Sequence, residues 1–181
     1  MSVYSKYSIP MAKLVFSSSD NGAAHLYSWF SNDVATRDRV LKEYTYLKAY
    51  LVVAKLAAIE GYEDIGIEIV KEMYSVLNDA FNDDVIGYGC NIYELGDRVA
   101  EYIESSDYSN LNTVTREFND VIGIDVLVFN NVGIMDMHNV VCFIDNQISN
   151  VVVACSRKQK SSGCLSTIAC MLLLFIVLCV L

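Results

Sequence analysis

The segment Leu165 to Leu181 reads LSTIACMLLLFIVLCVL, and no charged residue occurs from Ser161 onward. An apolar run of this length is at home in lipid or in the centre of a large core. A wholly apolar end behind a basic flank is unusual for a core helix and ordinary for a membrane anchor. As a helix, the run rises about 25 Å. That is short for a bilayer core of about 30 Å and better matched to a thinner membrane. Arg157, Lys158 and Lys160 lie just upstream. They predict a cytosolic N-terminal part, because basic flanks stay on that side. Lys6 and Lys13 interrupt the first thirty residues, so a signal peptide is not expected there. With Leu181 last, insertion is expected after translation, as a tail anchor. Cys179 is third from the end and not fourth, which does not fit a prenylation box.

Hydrophobic residues make up 54% of the chain and charged residues 19%. The apolar excess is concentrated in the tail, and the remainder has an ordinary globular composition. The net charge of −9 argues against a nucleic-acid partner, which needs a positive surface. Pro10 is the one proline, which favours long helices over a turn-rich β fold. No CxxC pair occurs among the six cysteines, so a zinc site is not expected. Reduced thiols in a cytosolic domain are the simplest reading. Cys155 and Cys164 bracket the basic run and are candidates for palmitoylation.

The remaining chain reads as helices. Residues 1–30 are ambiguous, with Leu26, Trp29 and Phe30 forming an aromatic cluster expected to pack on the core. Asn32 or Asp33 caps a helix from Val34 whose stripe is Val40, Tyr44, Leu47, Leu51, Ala54 and Ala58, with Gly61 as a stop. A second helix after Glu63-Asp64 carries Ile65, Ile69, Met73 and Leu77. The third, Tyr88 to Ser105, places Ile92, Leu95, Val99, Tyr102 and Ile103 on one side. Residues 106–112 form a polar linker, and a short helix from Thr113 carries Val114, Phe118, Val121 and Ile122 up to Gly123. Ile124 to Phe129 is compatible with a strand or a buried helix. Met135 to Ala154 is almost wholly apolar, which predicts the middle of a bundle. The expected architecture is all-α: a helical bundle with a buried apolar central helix, plus a single C-terminal transmembrane helix. Its divisions are a cytosolic domain over 1–155, a basic linker over 156–163 and an anchor over 164–181.

Catalytic signatures are absent. The two histidines, His25 and His138, form no HExxH pattern. The chain has no nucleophile elbow, phosphate-binding loop or dinucleotide fingerprint. The acidic run Asp79 to Asp84 lacks calcium-loop spacing. No enzyme activity, cofactor or metal is expected.

The most informative stretch is Tyr88-Gly-Cys-Asn-Ile92-Tyr-Glu-Leu95-Gly96-Asp97-Arg98-Val99. Tyr88, Ile92, Leu95 and Val99 share one helical face, with Gly96 and Asp97 between the last two. This is the geometry of a helix lying in a hydrophobic groove, and equally of an ordinary amphipathic helix. In the first case Gly96 permits close approach, and Asp97 pairs with an arginine on the groove rim.

These residues resemble the third homology motif of the Bcl (B-cell lymphoma two) family of apoptosis regulators, four apolar positions around a Gly-Asp pair. Ile92 stands where that family usually has leucine. Phe129 to Phe143 is similar to the family's first homology motif, although Met135-Asp-Met-His138 replaces its NWGR run and removes the arginine. The resemblance implies a divergent, viral-type regulator of cell death at the outer mitochondrial or endoplasmic reticulum membrane. Such a protein binds amphipathic helices of relatives in a groove or offers its own 88–99 helix, pairing with itself or with a relative. On this reading Gly96→Glu or Leu95→Glu abolishes partner binding without unfolding the domain. The alternative is a tail-anchored adaptor or trafficking protein of another class, docking a cytosolic partner at the reticulum or Golgi.

Overall fold

Asp33 shows how the longest helix begins. Its carboxylate accepts the Thr36 N–H at 3.0 Å and the Thr36 hydroxyl at 2.6 Å, supplying an acceptor to donors that a helix start leaves unpaired. The computed structural model describes residues 5–17, 21–30, 33–60, 90, 92–123 and 137–157. Its helices are α1 (Ser5–Phe16), α2 (Asn21–Trp29), α3 (Val34–Glu60), α4 (Ile92–Ser105) and α5 (Leu111–Ile122), with residues 137–157 forming α6. No strand occurs among the described residues. None of their helices is long and apolar enough to cross a membrane. The expected helix after Glu63, the ambiguous run 124–129 and the anchor 164–181 lie outside the described residues.

The bundle is organised around α3, which spans about 40 Å. Every residue from Glu43 to Val53 is buried, and α1, α2, α4 and α5 all pack against it. This corrects the expectation that the 135–154 segment is the central helix. In α6, Met137, Val140, Val141, Ile144, Ile148 and Val152 are buried on one stripe, while Asn139, Asn146, Gln147 and Asn150 face outward. Lack of charge made α6 look central, but its uncharged polar residues are segregated on one side. By contrast, α3 carries Glu43, Lys48 and Lys55 inward because each finds a partner, and buried charge is tolerated only when paired.

Pairings fix the helix directions. Lys42 and Glu94 form an ion pair, Glu43 meets Arg98, and Tyr50 meets both Tyr102 and Ser106. Numbers rise together, so α4 runs parallel to α3. In contrast, Arg39 near the start of α3 donates to the Ile122 carbonyl at the end of α5, at 2.9 Å, so α5 runs antiparallel to α3. A turn over 106–110 reverses the chain between α4 and α5. Asp107 takes the N–H and hydroxyl of Ser109, and Thr113 accepts the Asp107 N–H.

Helix α5 begins at Leu111, two residues before the expected Thr113, because the Asn110 side chain accepts the Asn112 N–H in extended backbone. Gly123 ends it as expected, in the left-handed region at φ 66°, where a residue without a Cβ fits best. Val114, Phe118 and Ile122 lie on its buried face, as their spacing predicted, whereas Val121 is only half-buried. Leu26 is buried, and Trp29 and Phe30 pack against the core, as anticipated. Two expected apolar-face positions differ. Ile103 is 50% exposed, and Ala58 lies on the surface. Ile103 directly follows Tyr102, whose inward ring turns its neighbour away from α3.

Candidate functional site

The six residues singled out as partner-binding divide into separate environments. Leu95 and Val99 are each 1% exposed, on a helix that packs on α3 more extensively than α1, α2 or α5 does. Gly96 is half-buried, and a Cβ built there meets nothing within 4 Å. It therefore serves no close approach among the described residues. Asp97 is exposed, with no ion pair to any described residue. Ile92 is the first residue of α4, and Tyr88 lies outside the described residues. Of the three basic residues expected to flank a membrane anchor, Arg157 is exposed at the end of α6, while Lys158 and Lys160 lie outside the described residues.

A buried polar cluster reinforces the α3–α4 seam. Arg98 donates to both Glu43 oxygens, at 3.3 Å from Nε and 2.9 Å from Nη2. The Tyr102 hydroxyl donates to Glu43 Oε1 at 2.9 Å, and burial together with that carboxylate pushes the phenol well above its ordinary pKa. Glu101 adds a second carboxylate to Arg98. Helix α4 is thus fixed against its own domain. The expectation that Leu95→Glu leaves the fold intact is corrected: a carboxylate there would replace a fully buried leucine against α3. The prospect of lending α4 to a partner meets the same obstacle, since Leu95 and Val99 already serve this core.

The open space lies elsewhere. A cavity of about 440 Å³ is lined by Lys13, Leu14 and Ser17 of the α1 end, Asn21 of α2, Tyr44 and Lys48 of α3, and Phe143, Ile144, Gln147 and Val151 of α6. Two lysines stand at its polar end. Lys48 is 2% exposed, donates to the Ser17 carbonyl at 2.8 Å, and sits 4.8 Å from the centre of the Tyr44 ring. Lys13 stands exposed at the rim. An apolar floor with the exposed ammonium of Lys13 at its rim can take an amphipathic segment with an acid at one edge. Sequence reading missed this site because its residues come from four helices. The available signal was a lysine, Lys48, placed between the stripe residues Leu47 and Leu51 of α3.

Two smaller polar clusters join other helices. Asp145 of α6 receives Lys55 Nζ at 3.2 Å and the Tyr108 hydroxyl at 2.5 Å. This ties α6 to α3 and to the α4–α5 turn, and burial raises the Tyr108 phenol. On the same helix, His138 lies between Thr115 and Cys142. Thr115 Oγ1 is 3.3 Å from Nδ1, and Cys142 Sγ is 3.4 Å from Nε2. Burial, and secondarily Asp145, raise the Cys142 thiol. Cys90, Cys142 and Cys155 are free thiols. No group of three metal-ligating side chains forms among the described residues. Compared with known proteins, the chain matches no protein-family model, and no curated protein or solved structure is similar to it.

Proposed function

We propose that this chain is a tail-anchored, Bcl-like regulator of cell death, and that its cytosolic bundle receives a partner's amphipathic helix in the cleft between α1, α3 and α6. One observation carries the docking reading: an apolar cavity of about 440 Å³ with the exposed Lys13 at its rim, in a chain of net charge −9. Local positive charge in an acidic protein selects a ligand whose apolar face is edged by a carboxylate. The Gly-Asp stretch and the uncharged C-terminal segment support the regulatory and membrane parts of the reading. The outer mitochondrial membrane and the endoplasmic reticulum are the compartments it proposes. Burial of Leu95 and Val99 in the chain's own core supports a receptor role over lending α4 to a partner.

The cleft borders α1, α3 and α6, away from the Gly96-Asp97 helix. That separation favours a second reading, a tail-anchored adaptor of another class that uses the same cleft at the reticulum or Golgi.

The test is a titration of the full chain in detergent micelles with a labelled amphipathic helix carrying Gly-Asp. The first reading expects saturable binding that Leu14→Glu abolishes. Failure of every such helix to bind would remove that reading. Binding by helices without Gly-Asp, with the protein on Golgi membranes, would select the second.

A further inference from the structure

We propose that Cys142 is a reactive thiol served by His138 as its base, and that it reacts with hydroperoxides. The geometry follows from proton accounting. The Thr115 hydroxyl donates to the Leu111 carbonyl at 2.8 Å. Its oxygen therefore meets His138 Nδ1, at 3.3 Å, as an acceptor. A neutral imidazole carries one proton. With that proton on Nδ1, Nε2 presents a lone pair, and Cys142 Sγ lies 3.4 Å from it. The thiol thus donates to Nε2. Nucleophile, base and orienting group stand in sequence, the arrangement that activates a cysteine or serine in covalent chemistry.

The helices build this line from ordinary spacing. His138 and Cys142 are four residues apart on α6 and share a face, and Thr115 comes across from α5. Both Cys142 and His138 are half-buried, which leaves the sulfur reachable by a small molecule. The groups facing the pair are Thr115 from α5 and Asp145 one turn along α6, the latter held by Lys55 and Tyr108. Burial and the Asp145 charge keep the resting thiol protonated. The imidazole therefore acts during the attack and not as a standing ion pair.

The step balances without a further reagent. Sγ attacks the terminal oxygen of the hydroperoxide, the S–O bond forms, and the O–O bond breaks. The thiol proton passes to Nε2 and then to the departing alkoxide or hydroxide, which leaves as alcohol or water. The sulfur is oxidised by two electrons to a sulfenic acid, and the peroxide is reduced by the same two. Cys90 lacks this arrangement, since its sulfur instead faces the Lys42 carbonyl at 4.0 Å.

The full chain in detergent, exposed to hydrogen peroxide at neutral pH with a sulfenic-acid trap, tests the proposal. Peptide mass spectrometry then gives the trapping rate of each cysteine, in the native protein and in urea. Burial alone makes every folded thiol slower than its unfolded counterpart. The dyad makes Cys142 about tenfold faster when folded, with Cys90 slower. His138→Gln should reverse the Cys142 advantage, and Thr115→Val should reduce it. A native Cys142 rate at or below the unfolded rate overturns the proposal, as does an unchanged rate in a folded His138→Gln protein. If that variant does not fold, the native-to-unfolded ratio of the unaltered chain decides alone.

Discussion

Arg98 on α4 grips the carboxylate of Glu43 in the middle of α3, with Nη2 at 2.9 Å from Oε1 and Nε at 3.3 Å from Oε2. The pair sits where the central helix is buried on every side, so the Glu43 carboxylate depends on Arg98. Removing Arg98 leaves the buried Glu43 carboxylate without its counterion in a site that water reaches poorly. Arg98→Met should cost about 3 kcal/mol of stability. Adding Glu43→Leu should recover most of that, less the cost of a Tyr102 hydroxyl left without its acceptor. Urea unfolding of the three proteins, followed by helical circular dichroism, measures the cycle. Equal losses for the single and double variants would mean that the pair is not a unit.

Adjacent residues on α4 should respond in opposite directions. Leu95 is buried against α3, and truncation to Ala should cost about 2–4 kcal/mol. Gly96 has open space where a Cβ would stand, and it lies inside a helix. Gly96→Ala should stabilise the domain by about 0.5–1 kcal/mol, through the entropy that glycine loses on folding. Thermal unfolding of both variants checks this, and a destabilised Gly96→Ala would mean that a neighbour fills that space.

Cys90 links stability to alkaline pH. Burial pushes its thiol from the ordinary 9.0 up to about 11. The folded state holds this proton more tightly than the unfolded chain does. The contribution is therefore complete below about pH 9 and is lost as pH rises towards 11, while the unfolded thiol ionises first. Cys90→Ala should show a shallower fall in its urea midpoint between about pH 8 and pH 10.5 than the unaltered chain. Parallel curves would place the alkaline sensitivity elsewhere, with Tyr102 the next group to examine.

Much of the bundle was legible because local chemistry and final structure agree. Asp33 caps α3, Gly123 ends α5, and Val114, Phe118 and Ile122 face inward at helical spacing. Centrality was not legible. Reading greasiness as depth favoured the 135–154 segment, whereas α3 is deeper and carries more charge. Glu43, Lys48 and Lys55 are acceptable inside only because Arg98, the Ser17 carbonyl and Asp145 stand opposite them. Those partners lie 31 to 90 residues away in sequence. The cleft was hidden for the same reason, being assembled from Leu14, Tyr44, Phe143 and Val151 on three helices. The Gly96-Asp97 pattern located a real amphipathic helix, but its apolar face is spent on its own core.

A charge exchange across the cleft tests the docking claim most directly. The full chain and its Lys13→Glu variant are each titrated with two amphipathic helices that differ only by Asp or Lys at the polar edge. The account predicts that Lys13→Glu weakens the Asp helix about tenfold and strengthens the Lys helix, which binds the unaltered protein poorly. Equal affinities of both helices for both proteins would contradict it.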